Sequence, residues 1–257
     1  MSPPSLDDRV IAIAGVGGGL GPVVASRLAE AGAIVAGTDR DQAALDSLAS
    51  ELGIAEERWD GRAVDLLDED AARAWCAALA ERFGRVDGLV HLVGGWRGGE
   101  PLHEAPLADW DLLHDLLIRT VQHTTRAFHD QLAASEHGRF VLVSAKQAQR
   151  PSNTNAAYAA AKAAAEAWTL ALADGFATSA ADGPETSAIP TESAHRRGAA
   201  TANIVVVDAI LTPQMRADSP GKDFPTFTPA EHIAEAIAFL CSDAAAKMNG
   251  QRLALHP

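Results

Sequence analysis

The run Arg9-Val10-Ile11-Ala12-Ile13-Ala14 reads as a short β-branched strand, and it breaks at once into Gly15-Val16-Gly17-Gly18-Gly19-Leu20-Gly21. A strand that ends in a glycine-rich turn and opens into a helix, here from about Leu20 to Ala31, points to a parallel βαβ unit. Glycines allow positive φ and let a backbone come close to a pyrophosphate. The helix start adds free N–H groups and the positive end of a dipole. The same pattern also serves as a plain tight turn, so it needs support from elsewhere in the chain.

That support comes from the next strand, Ala33–Thr38, which ends at Asp39. In a βαβ nucleotide fold an acid at this place accepts hydrogen bonds from an adenosine ribose hydroxyl. Its charge repels a 2′-phosphate and favours NAD, while the adjacent Arg40 offsets part of the repulsion and leaves NADP use open. Further strands are expected at about Arg62–Asp65, Val86–Val93, Arg139–Ala145, Ala202–Asp208 and Gln251–His256. They alternate with helices at about Asp41–Leu52, Glu69–Phe83, Leu107–Ala134, Asn155–Ala173 and Pro229–Ser242. This alternation predicts an α/β fold, a doubly wound parallel sheet of the Rossmann type in one domain spanning residues 1–257. Ligands then gather at the carboxyl ends of the strands, where Gly15–Gly21, Asp39, Asp65, Gly94, Ser144 and Asp208 fall. The run Gly175–Thr201, rich in small and polar residues, is expected to be a flexible insertion away from that end.

Composition excludes several function classes. A formal charge of −13, with no basic patch, disfavours nucleic acid and anionic membranes as partners. Cys76 and Cys241 have neither metal-type nor disulfide-framework spacing, and the start of the chain lacks the basic and apolar regions of a signal peptide. A soluble protein of the reducing cytoplasm is expected. His114, His123 and His129 lack the helical i, i+4 spacing of a zinc site, so they are read as surface or packing groups and no metal is expected.

The segment Tyr158-Ala159-Ala160-Ala161-Lys162 lies within a predicted helix free of interior proline, and residues four apart share a helix face. A cation beside the tyrosine favours the phenolate, so the pair is expected to draw the Tyr158 pKa from about 10 toward neutrality and make it a proton donor. Alone, the spacing is common enough to arise by chance.

Together, the Gly15–Gly21 turn and Tyr158-Ala159-Ala160-Ala161-Lys162, on strands and helices in this order, resemble the short-chain dehydrogenase/reductase family over nearly the whole chain. The resemblance implies that Tyr158 is the proton donor or acceptor and that Lys162 holds the nicotinamide ribose and lowers the tyrosine pKa. It also implies that Asp65 lies by the adenine, with Thr212 near the nicotinamide carboxamide. The implied cofactor contacts are Gly15, Gly19, Leu20, Gly21, Asp39, Arg40, Asp65, Leu66, Gly94, Gly95, Lys162 and Thr212. A homodimer or homotetramer is implied as well, with Leu107–Ala134 and Asn155–Ala173 packing across a two-fold axis.

Departures from the family pattern narrow the chemistry. Ala145 stands where the family carries its substrate-binding serine, and Ser144, one residue early, can replace it only if the strand has ended or bulged there. Leu117 stands in place of an asparagine, His91-Leu92-Val93-Gly94 in place of Asn-Asn-Ala-Gly, and Val207-Asp208 in place of Pro-Gly. Quinonoid dihydropteridine reductase, a branch with similar losses, is resembled in Val93–Gly99, in Ser144-Ala145-Lys146 and in Thr212-Pro213. That resemblance implies hydride transfer to an activated flat heterocycle, with Trp96 as a stacking group or a packing anchor and Arg97 near the polar edge. Two alternatives stay open: an ordinary alcohol or ketone oxidoreductase that uses Ser144, and a nucleotide-binding protein without turnover. The segment Ala209–Thr228 is expected to cover a small-molecule substrate, with apolar contacts from Met215, Phe224 and Phe227.

Overall fold

A computed structural model describes residues 4–181 and 200–256. Its centre is a sheet of seven strands, all parallel, in the order β3-β2-β1-β4-β5-β6-β9. The strands are β1 (Val10–Ala14), β2 (Ile34–Asp39), β3 (Trp59–Ala63), β4 (Gly88–His91), β5 (Arg139–Ala145), β6 (Thr201–Val207) and β9 (Arg252–Ala254). Strand order reverses between β1 and β4, which opens a crevice at their carboxyl ends.

Successive strand residues face opposite sides, so each buried strand feeds two cores. On one side Ile11, Ile13, Val141, Val143 and Val205 pack under α1 (Gly21–Glu30) and α8 (Ala230–Cys241). On the other side Ala12, Ala14, Phe140, Leu142 and Ile204 pack under α3 (Glu69–Phe83), α5 (Thr120–Ala134) and α6 (Ala156–Ala181). The helix α2 (Gln42–Leu52) covers the β3–β2 end of the sheet through Leu45 and Leu48, and Asp41 caps it by accepting from Ala43 N and Ala44 N. Two glycines are required by the turn after β1. A Cβ on Gly15, which has φ +84°, would lie 2.9 Å from Val93 N, and one on Gly21 would lie 2.0 Å from Val16 O.

Three expectations need correction. The third strand is Trp59–Ala63, not Arg62–Asp65. It starts early because Trp59 is buried and Asp60, also buried, is held by Arg62 at 2.6 Å and by Arg82 at 2.7 Å. Burial would raise the Asp60 pKa, but the hydrogen bonds from Arg62 and Arg82 outweigh it and hold the carboxyl below its usual range. Second, α6 continues past Ala173 to Ala181, because Phe176 extends its buried stripe and stacks on His129. The rest of the expected insertion, 182–199, lies outside the described residues. Third, the helix expected over Leu107–Ala134 is α4 (Ala108–His114), a π-turn at Asp115–Arg119, and α5. Among the described residues no helix is long and apolar enough to cross a membrane, and no group of three His, Cys, Asp or Glu side chains is placed to hold a metal ion.

Candidate active site

A cavity of about 790 Å³ opens at the carboxyl ends of β1, β2, β4, β5 and β6. Its phosphate end is backbone: Gly15, Gly18, Gly19, Leu20 and Gly21 line it, and Gly17–Gly19 are exposed at the start of α1. Asp39 is fixed beside this loop, its Oδ2 accepting from Gly17 N at 3.1 Å and its Oδ1 from Arg40 N at 2.8 Å. The Arg40 side chain is exposed on the same wall. Asp65 and Leu66 border the wall too, with Asp65 Oδ1 accepting from Leu67 N at 3.0 Å. His123 Nδ1 lies 3.0 Å from Leu66 O and so ties this loop to α5. Gly94 and Gly95 close the opposite side. Thr212 does not border the cavity. It caps the short helix α7 (Pro213–Asp218), and its Cγ2 lies 3.1 Å from where a Cβ on Gly19 would sit.

Tyr158 and Lys162 reach the cavity from the first turns of α6. Their electrostatics differ from the sequence expectation. Burial pushes the Tyr158 pKa up to about 12, and the hydroxyl has no hydrogen-bond partner among the described residues. The cause is apolar surroundings: Leu113, Leu117 and Ile118, with Leu116, pack against Tyr158 and Ala161. Leucine at position 117 thus adds to the shell that keeps the phenol neutral. The Lys162 ammonium donates to Val143 O at 2.9 Å rather than to the tyrosine. Burial lowers the Lys162 pKa to about 8, opposed by Glu166 one helical turn on.

Glu166 is the acid that the sequence reading missed. It is only 2% exposed and accepts from Ser144 Oγ at 2.6 Å, Arg252 Nε at 2.6 Å and Gln149 Nε2 at 3.3 Å. Its signal was the spacing of four from Lys162, hidden because an acid in an alanine-rich helix reads as a solvated face. The Glu166 contact also bears on Ser144. Strand β5 stays in register with β6 through Ala145↔Val207, with no bulge, so Ser144 faces α6 and Ala145 faces the opposite side. Ser144 borders the cavity, but its hydroxyl is committed to Glu166. The condition under which it would replace the absent serine is not met.

Below Lys162, His91 is fully buried, with Nε2 at 3.2 Å from Thr120 Oγ1 and Nδ1 at 3.2 Å from Thr124 Oγ1. Burial, and then the Lys162 charge, lower its pKa to about 3, so the ring is neutral. Both threonine hydroxyls also donate to backbone carbonyls, Thr120 Oγ1 to Leu116 O and Thr124 Oγ1 to Thr120 O, so the neutral ring, with a single N–H, can donate to only one of them. Histidine at this place is therefore a neutral core group, set between β4 and two threonines of α5.

On the substrate side, Trp96 borders the cavity and is 56% exposed, and Gly99 N donates to Thr154 O, which holds the glycine loop down. Arg97 Nη1 donates to Trp96 O, and its Nε lies 4.0 Å from Asp109. The expected lid contacts are corrected. Segment 209–229 forms a small parallel pair, β7 (Ala209–Leu211) with β8 (Phe227–Pro229), and Phe224 packs on Phe227 with ring centroids 5.2 Å apart. Met215, Phe224 and Phe227 do not border the cavity, whereas Ala209 and Ile210 do.

Residues 15–256 match the family model described as Enoyl-(Acyl carrier protein) reductase. The chain is similar to cis-4-hydroxycyclohexanecarboxylate dehydrogenase of Sinomonas cyclohexanicum, with 31% identity over 96% of this chain and 95% of that one. Among solved structures it is similar to 3-ketoacyl-(acyl-carrier-protein) reductase from Brucella melitensis complexed with NADH, with a TM-score of 0.78, 25% identity and 98% of each chain covered. A gluconate 5-dehydrogenase from Burkholderia cenocepacia in complex with NADP and tartrate gives a TM-score of 0.79 at 25% identity, covering 98% of this chain and 94% of that one. The chain belongs to the short-chain dehydrogenase/reductase family and is an oxidoreductase.

Proposed function

We propose that the protein interconverts a secondary alcohol and a ketone with a nicotinamide dinucleotide, and that it prefers NAD(H) to NADP(H). The observation that carries this reading is the placement of Tyr158 and Lys162 on one wall of a cavity whose far end is bare glycine backbone beside a fixed Asp39. The residues fit a dinucleotide. Side chains are absent at Gly17–Gly19, where a pyrophosphate needs N–H groups, and Asp39 stands where an adenosine ribose would be read. When bound, the dinucleotide gives or takes the hydride.

The chain's own residues do the rest. The neutral Tyr158 phenol donates its proton to the carbonyl oxygen in the reduction direction, and its high pKa keeps that proton available across the physiological range. Lys162, held by Val143 O, would hold the nicotinamide ribose, and Asp65, Leu66, Gly94 and Gly95, which border the cavity, would complete the cofactor contacts. The named activities of the relatives, a hydroxycyclohexane dehydrogenase, a ketoacyl reductase and a gluconate dehydrogenase, are all conversions between an alcohol and a ketone, which supports this substrate class. Reduction of a quinonoid dihydropterin is the second reading. It is favoured by Ala145 in place of the oxygen-polarising serine and by the half-exposed Trp96 at the cavity rim.

NADH and NADPH titrations followed by fluorescence, with a panel of ketones, secondary alcohols and a quinonoid dihydropterin, test the reading. NADH is expected to bind about tenfold or more tightly than NADPH, and Asp39→Ala to narrow that gap. Equal affinities that Asp39→Ala leaves unchanged would make Arg40 the dominant group. For assembly, the outer face of α5 and α6, where Arg126, His129, Trp168 and Leu172 border a second groove of about 420 Å³, is the surface that suits a two-fold contact between copies. A monomer in sedimentation at micromolar concentration would count against it.

A further inference from the structure

We propose that Trp96 selects the substrate by stacking, and that the preferred substrates carry the reacting carbon in a ring, which lies against the indole while Tyr158 donates to the oxygen. This deepens the alcohol–ketone reading by naming the substrate class, and it rests on that reading.

Two anchors set Trp96 beside the catalytic tyrosine. Before it, a Cβ on Gly95 would lie 3.0 Å from Leu116 Cδ1, and Leu116 packs in the same apolar cluster as Tyr158. After it, Gly99 N donates to Thr154 O at 2.8 Å, and a Cβ on Gly98 would lie 2.7 Å from that oxygen, four residues before Tyr158. The side chain between these anchors borders the same cavity as Tyr158. Its six-membered ring rests on the glycine loop, where a Cβ on Gly98 would lie 3.1 Å from Cζ2 and one on Gly99 4.0 Å from Cη2. The glycines seat the indole with no side chain between, yet 56% of the residue stays exposed. A packing anchor would be covered, whereas this ring keeps a wide apolar surface that a ligand can bury.

The composition of the neighbouring wall explains why a stacking group is needed there. Ala145 offers the cavity only a methyl, the Ser144 hydroxyl is held by Glu166, and the Gln147 amide donates to Asp208 Oδ1 at 3.1 Å. A carbonyl oxygen that meets Tyr158 alone can swivel about that one hydrogen bond, while hydride transfer requires the carbon to be held in a fixed orientation. A ring pressed on the indole removes that freedom across its whole face. An open chain makes a smaller contact and loses rotor freedom on binding. Arg97 does not compete for the role: it donates to Trp96 O, lies 4.0 Å from Asp109 and does not border the cavity. The substrate is thus recognised by its ring face rather than by a charge, and a carbocyclic ketone and a flat heterocycle share that face.

The test measures NADH-dependent kcat and KM for cyclohexanone and hexan-2-one, which have the same number of carbons, and for a quinonoid dihydropterin. The proteins compared are the parent, Trp96→Ala, Trp96→Leu and Trp96→Phe, and reading each ratio against the parent's cancels the unequal intrinsic reactivity of the two ketones. Trp96→Ala is expected to lower the cyclohexanone to hexan-2-one ratio of kcat/KM by about tenfold, chiefly through KM, with NADH affinity unchanged. Trp96→Phe, which restores a flat face, should keep the ratio within about threefold of the parent. If Trp96 only seats the loop, both ketones fall together and the ratio stays, which overturns the proposal; a loss confined to NADH affinity overturns it as well. Should Trp96→Ala fail to fold, Trp96→Leu, which keeps apolar bulk without a flat face, is expected to lower the ratio in the same way, and an unmoved ratio there is equally fatal. If the dihydropterin alone is turned over, the alcohol–ketone reading falls, and its KM decides the stacking role separately: a rise of about tenfold in Trp96→Ala supports it, and an unmoved KM overturns it. A parent that binds NADH and turns over none of the three overturns both readings together.

Discussion

At the end of the cavity formed by β1 and β2 the chain presents backbone, whereas at the end formed by β5 and β6 it presents side chains held by other side chains. Gly18 and Gly19 need nothing but open space and their own N–H groups. By contrast, Lys162 depends on Val143 O and Glu166, and Glu166 on Ser144, Gln149 and Arg252. A backbone wall is intolerant of added atoms. A side-chain wall is sensitive to the removal of charges at a distance. The two ends should therefore fail in different ways when altered.

The largest effect is expected at the side-chain end. Tyr158→Phe should lower turnover by about 10²- to 10⁴-fold on the best substrate, with NADH affinity nearly unchanged. Because the hydroxyl has no partner among the described residues, its loss leaves no orphaned group and should not disturb folding. A phenylalanine variant within a fewfold of the parent would remove Tyr158 from the chemistry.

At the backbone end, Gly21→Ala places a methyl 2.0 Å from Val16 O, and only a main-chain shift can relieve it. A stability loss of about 1–3 kcal/mol in urea unfolding is expected, together with weaker NADH binding. If Gly21→Ala binds NADH normally, the turn is less constrained than its geometry indicates.

The smallest effect separates charge from shape. The Lys162 pKa is lowered by burial to about 8 and raised by Glu166, so its ammonium is present below that pH and lost above it. NADH affinity should fall by up to about tenfold per pH unit as the pH rises past 8. Glu166→Gln keeps the volume but removes the charge that raises the Lys162 pKa, so the fall should begin at lower pH. A fluorescence titration series from neutral to alkaline pH reads the midpoint. An unmoved midpoint would leave Glu166 a packing role only.

The same contrast explains what the sequence disclosed. The glycine turn, Asp39, Tyr158 and Lys162 were legible because each motif is local: its meaning depends on residues a few positions away. The parallel sheet was legible for the same reason, since buried strands and periodic helices alternate along the chain. Strand β3 was misplaced because Asp60 reads as a loop residue until Arg62 and Arg82, the latter on α3, are seen to neutralise it. Glu166 and the pairing of Gln147 with Asp208 depend on β5–β6 register and on Arg252 from the last strand, contacts that span 61 and 86 positions. Met215, Phe224 and Phe227 misled in the opposite sense. Apolar residues on a loop past a strand end suggested a wall, yet the two phenylalanines pack on each other while β7 pairs with β8. The expected fall in the Tyr158 pKa failed because Lys162 is spent on a carbonyl and the phenol sits among leucines.

The π-turn at Asp115–Arg119 lets one continuous rod address two different neighbours. Before it, Leu113 faces Ala161 and the Tyr158 end of α6, with Leu117 and Ile118 of the turn itself. After it, Val121, Phe128 and Leu132 face the sheet. One extra residue per turn rotates everything downstream by about 100° relative to an uninterrupted α-helix. Deleting any one of the five residues would restore regular winding and swing one half out of phase with its partner, whichever residue was removed. Substitutions along this stretch are then matters of fit, but its length is a matter of phase, and chains that diverge from this one should vary in residue type here far more readily than in residue number.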